Sequence, residues 1–67
     1  MNGLTLKMLR KAIHVIKTSK RFQRELSPNV FAGSLQVLQI AEMYMLGELD
    51  QEPQDPREVL VEIGYRI

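Results

Sequence analysis

The stretch Ser27-Pro28-Asn29-Val30-Phe31-Ala32-Gly33-Ser34-Leu35-Gln36-Val37-Leu38-Gln39-Ile40-Ala41-Glu42-Met43-Tyr44-Met45-Leu46-Gly47-Glu48-Leu49-Asp50 decides the fold of this chain. A serine hydroxyl can satisfy an open backbone N–H at a helix start, and proline is pre-set for the first helical position. Ser27-Pro28 therefore predicts a helix over residues 28–50, about 34 Å long at 1.5 Å per residue. On a helical wheel its apolar side chains cover most of the circumference, leaving Gln36, Gln39 and Asp50 as a thin polar strip. A helix apolar nearly all round is buried on several sides. It is not a membrane span, because Gln36, Gln39, Glu42 and Glu48 interrupt every apolar run of the ~20 residues a bilayer needs.

Upstream, Leu4, Met8, Leu9, Ala12, Ile13, Val15 and Ile16 recur with helical spacing, with Lys7, Arg10, Lys11, His14, Lys17 and Arg21 opposite. This predicts a first helix over about 4–25, with Thr5 as N-cap. After Thr18-Ser19 the pattern weakens. Lys20 and Arg24 rotate onto the apolar side and Phe22 moves to its edge, so the helix frays there or a new turn begins. Downstream, Asp55-Pro56-Arg57-Glu58 is a variant capping box, and it predicts a short helix over 56–64 that carries Val59, Leu60 and Ile63. Gly64 is placed to end it, with Tyr65-Arg66-Ile67 as an extended tail.

The expected architecture is thus all-α: one domain over residues 1–67, with long first and central helices and a short C-terminal one. At 67 residues, 45% hydrophobic and without cysteine, the chain has neither disulfides nor thiolate metal ligands to reinforce a small core. Self-association is the remaining supplement. The apolar surplus of the central helix marks Leu35, Leu38, Met43, Met45 and Leu46 as the expected interface of a homodimer.

Charge is unevenly distributed. Residues 1–25 carry seven Lys+Arg against Glu25, a balance of +6; residues 26–67 carry two against seven carboxylates, a balance of −5. Lys7, Arg10, Lys11, Lys17, Arg21 and Arg24 are the candidate contacts for a partner or for nucleic acid, since such a face can neutralise phosphates. The same face can instead balance the acidic half of a neighbour. The acid-free residues 1–24 also have the composition of a targeting peptide, but their removal would leave too little chain for a domain. They read as structure, in a cytoplasmic protein.

Catalytic groups are not evident. His14 has no nucleophile or carboxylate near it in sequence, the serines lie in no nucleophile elbow, and the glycines form no phosphate loop. The carboxylates of 50–55 are interrupted by Pro53, which breaks a calcium-loop pattern. Neither cofactor nor metal is expected. The helix order is similar in outline to a histone fold, and Leu35–Glu42 behind a basic helix resembles the opening of a MarR-type winged-helix regulator. Neither likeness covers a diagnostic motif, and no residue role is carried over.

These features lead to the expectation of a small non-enzymatic regulatory protein, an adaptor or inhibitor of a partner protein in bacteria or phage. One alternative is a nucleic-acid-binding transcription regulator that uses the basic first helix. Another is a structural subunit of a larger assembly.

Overall fold

Thr5 begins the first helix as its spacing requires: its backbone is extended and its hydroxyl accepts a hydrogen bond from the Met8 N–H at 3.1 Å. In the computed structural model, which describes residues 3–66, helix α1 spans Leu6–Thr18. Leu4 and Leu9 flank the cap at the two positions of a hydrophobic staple, and both are buried in one apolar cluster.

One helix over 4–25 was expected; two are found, because Ser19 adopts an extended backbone and ends α1. Side chains on both sides of the break donate to backbone carbonyls near the end of α1. The Thr18 hydroxyl donates to the His14 carbonyl at 2.9 Å, and the Gln23 amide donates to that of Lys17 at 2.9 Å. Helix α2, Lys20–Glu25, starts on a new rotational phase. Phe22 now points inward, 4% exposed, while Lys20 and Arg24 point outward. The clash of phase visible in the sequence is resolved by breaking the helix rather than burying two charges, which costs far more.

Helix α3 spans Pro28–Met45 and opens as its first residues predict, with the Ser27 hydroxyl accepting from the Val30 N–H at 3.3 Å. It ends five residues before the expected Asp50. Gly47 takes φ +82, and the N–H groups of Gly47 and Glu48 turn back to the carbonyls of Tyr44 and Met43. This is a Schellman closure, open to glycine and strained for other residues. Helix α4, Pro56–Glu62, repeats both devices: Asp55 accepts from the Arg57 N–H at 3.0 Å, and Gly64 at φ +84 sends the N–H groups of Gly64 and Tyr65 to the carbonyls of Val61 and Leu60. The expected return bond from Glu58 to Asp55 is not made among the described hydrogen bonds.

The helices pack around side chains from all four. Leu9 and Ile16 of α1, Leu38 of α3, and Pro56 and Leu60 of α4 are the largest fully buried ones, and Phe22 joins them from α2. Helices α1 and α3 run in opposite directions side by side, so that Arg10 early in α1 meets Glu42 late in α3. The Cα radius of gyration, 11.4 Å, is close to the ~11 Å of a compact chain this long. No buried side-chain nitrogen or oxygen among the described residues lacks a partner.

The central helix is not buried on several sides. Ser34, Leu38 and Ala41 form its one buried stripe, Phe31, Leu35, Val37 and Met45 pack along its edges, and Val30, Ile40 and Met43 stay exposed. No helix among the described residues is long and apolar enough to cross a membrane.

Two glycine substitutions should have opposite signs. Gly33 lies inside α3 with nothing within 4 Å of an added Cβ, so Gly33→Ala should raise stability by about 0.5–1 kcal/mol. Gly47→Ala should lower it by about 1–2 kcal/mol, because its φ is left-handed. Urea unfolding of the two variants beside the parent chain measures both.

Candidate functional site

Two surfaces of opposite character stand out. The first is the outward side of α3. From Pro28 to Met45 the helix carries a single charged residue, Glu42, and Arg10 holds it at 2.8 Å. Asn29, Ala32, Gly33, Gln36, Ile40 and Met43 therefore form an exposed face without charge, and Ile40 and Met43 remain 36% and 40% exposed. Just beyond the helix end, Leu46 is 45% exposed. Ile40 also borders a hollow of about 470 Å³ that it shares with Leu49 and Pro53 and with the polar Asp50, Gln51 and Glu52, so charge returns where the helix gives way to the loop. Charge depletion with apolar and Met side chains is the compositional mark of an interface core.

Of the five residues expected at an assembly surface, Met43 and Leu46 are exposed and Leu35 and Met45 are half-buried against the chain's own core. Leu38 is a correction: it is fully buried inside the single chain, where it serves the core, and Ile40 takes its place on the outward side. Ile40 belonged to the same apolar run, but with side chains nearly all round the wheel the sequence could not say which arc faced outward.

The second surface is cationic. Lys7, Arg10, Lys11, His14, Lys17 and Thr18 are exposed on α1, which has no acidic residue along its length. Not all of its charge is available. Arg10 is engaged by Glu42, and Arg21 by Glu25 at 3.3 Å across one turn of α2. Arg24 is exposed on α2.

The turn at Gly64 adds Tyr65 and Arg66 to this side, and α4 adds Arg57, all of which the sequence placed elsewhere. Tyr65 does not trail away. It packs against the core with its ring centroid 6.4 Å from that of Phe22, at an interplanar angle of 35°. Tyr65 and Arg66 then line a hollow of about 210 Å³ with Leu4, Met8, Lys11 and Leu60. The same two residues line a larger one, about 660 Å³, with Arg21, Arg57, Val61 and Gly64. Arg57 and Arg66 belong by sequence to the acidic half, and only folding brings them to Lys11 and Arg21. The available signal was Gly64 itself, since a Schellman turn reverses the chain over the helix it closes. Ile67, the end of the expected tail, lies outside the described residues.

No family model, curated protein or solved structure matches this chain. The carboxylates of the loop after α3 form no group of three or more that could hold a metal ion among the described residues.

The Arg10–Glu42 contact links two helices distant in sequence. With Arg10 54% exposed, a double-mutant cycle using Arg10→Met and Glu42→Gln should give a coupling of about 0.2–1 kcal/mol in thermal unfolding. A pair so weak neutralises Glu42 at the margin of the α3 face and leaves the core to hold the fold.

Proposed function

We propose that this protein is a small non-enzymatic regulatory adaptor or inhibitor of a partner protein that assembles as a homodimer through its central helix. The observation that carries this reading is the uncharged outward face of α3, with Ile40, Met43 and Leu46 exposed together. The chain already closes its own core, so this apolar surface is not needed for folding of the single chain. Such patches on small proteins commonly mark interaction sites. A two-fold pairing of α3 with its copy is the simplest way to cover it. A cytoplasmic setting accompanies this proposal: α1 supplies Leu9, Ala12, Ile13 and Ile16 to the core and so acts as structure, not as a removable address.

Light scattering at about 0.1 and 0.5 M salt tests the assembly, since apolar contacts survive screening. The expected result is a dimer at both concentrations. Met43→Lys should raise its dissociation constant at least tenfold, about 1.4 kcal/mol, with the helical signal in circular dichroism unchanged. A chain that stays monomeric at high concentration would remove the basis of the proposal.

A second reading rests on a separate observation, the acid-free outward face of α1. Lys7, Lys11 and Lys17 are exposed there and could contact nucleic-acid phosphates in a transcription regulator. Reversing the charge at Lys11 and Lys17 distinguishes the two. A regulator acting on nucleic acid should lose duplex binding and its steep salt dependence, whereas an adaptor should keep its dimer and its partner.

A further inference from the structure

We propose that two copies of this chain pair through α3 in antiparallel orientation, crossing near Gln36. This rests on the homodimer reading above and adds the direction of pairing, which that reading leaves open. The outward face of α3 has the spacing of a helix-pairing seam. Asn29, Gly33, Gln36, Ile40 and Met43 follow one another in steps of four, three, four and three, and all five are exposed. At about 100° per residue they share an arc of about 80°, with the buried Leu38 opposite. One narrow stripe, without a charge in it, is thus turned directly away from the chain's own core.

The stripe is graded in size. Its first half carries Asn29, Ala32 and Gly33, and an added Cβ on Gly33 would meet nothing within 4 Å. Its second half carries Ile40 and Met43, which project from the surface, and the exposed Leu46 follows just past the helix end. Parallel pairing sets each half against itself. Bulky side chains then collide at one end, while a gap is left at the other and its lining loses contacts. Antiparallel pairing about Gln36 lays Ile40 of each copy over Ala32 and Gly33 of the other, and Met43 over Asn29. At the crossing the two Gln36 amides meet, and each has a donor and an acceptor for the other.

Charge is graded along the same axis. Before α3, residues 19–27 hold Lys20, Arg21 and Arg24 against Glu25, a balance of +2. After it, residues 46–53 hold Glu48, Asp50 and Glu52 and no cation, a balance of −3. Lys20, Arg24, Glu48, Asp50 and Glu52 are all exposed. The peptide dipoles of α3 point the same way, positive at Pro28 and negative at Met45. A parallel pair brings cationic end to cationic end and acidic end to acidic end. An antiparallel pair brings each cationic end to the acidic end of the other copy. Pairs at such a rim add little affinity, but like charges set together select against the wrong arrangement. Two-fold symmetry matches the chain to both of its own gradients, and this commits the face to a second copy.

The chain has no cysteine, so single-cysteine variants report the direction of pairing. Full-length Asn29→Cys, Gln36→Cys and Met43→Cys, each checked for unchanged helical circular dichroism, are treated with a short bismaleimide where light scattering shows the dimer. Positions 29 and 43 lie about 21 Å apart along the helix, beyond the reach of such a reagent. Antiparallel pairing predicts that Gln36→Cys cross-links to itself and that Asn29→Cys and Met43→Cys do not, whereas an equimolar mixture of those two gives a cross-linked heterodimer. Arg24→Glu should raise the dimer dissociation constant about threefold, because it sets carboxylate against carboxylate. Self-cross-linking of all three variants, or a lower dissociation constant for Arg24→Glu, shows parallel pairing and overturns the proposal while leaving the homodimer in place. A dimer in which neither the variants nor the mixture cross-link uses another face, and overturns it as well. A parent chain that stays monomeric overturns it together with the reading on which it rests.

Discussion

The enclosure of Leu38 between its neighbours is the constraint on which the rest depends. Leu9 and Ile16 from α1 and Leu60 from α4 are buried with it, and each such side chain contributes about 1.5–3 kcal/mol relative to exposure. A chain this small has few such groups, so each helix must present its apolar stripe to the same place. That requirement sets α1 and α3 side by side in opposite directions. It forces the break at Ser19, without which Phe22 would lie off the core. It also brings α4 back along α3 after the loop, carrying Val59, Leu60 and Ile63 with it.

How well each part could be read in advance follows from whether its determinant was local. The three N-caps were legible because Thr5, Ser27 and Asp55 act on N–H groups two or three residues away. The core stripe of α1 was legible because its charged residues outlined it. The end of α3 was not read, although Gly47 marks it, because the apolar pattern continues past the glycine to Leu49. The outward arc of α3 was hidden for a different reason: with few charged residues, its sequence carries no contrast to orient it. The meeting of Arg57 and Arg66 with Lys11 and Arg21 is a tertiary fact, since no local pattern joins residues so far apart.

The two surfaces divide the work of the molecule between different kinds of physics. Around α3, charge has been kept out and the lone carboxylate neutralised by Arg10, so contact there depends on shape and dewetting. On the side of α1, α2 and the Gly64 turn, cations gather and reach beyond contact distance, attenuated by salt. The ordering is economical, because the same four short helices supply both.

The break at Ser19 has a consequence for the time course of folding. It makes the α1–α2 corner tight, and the Leu26–Ser27 corner that follows is equally short. Helices adjacent in the chain are therefore also adjacent in space, α1 against α2, α2 against α3 and α3 against α4, beside the longer-range packing of α1 on α3. Chains of such local topology cross their barrier within microseconds to milliseconds. A molecule of this kind can unfold and recover many times during its life, and its durability in the cell is then governed by equilibrium populations more than by a slow exit from the native state.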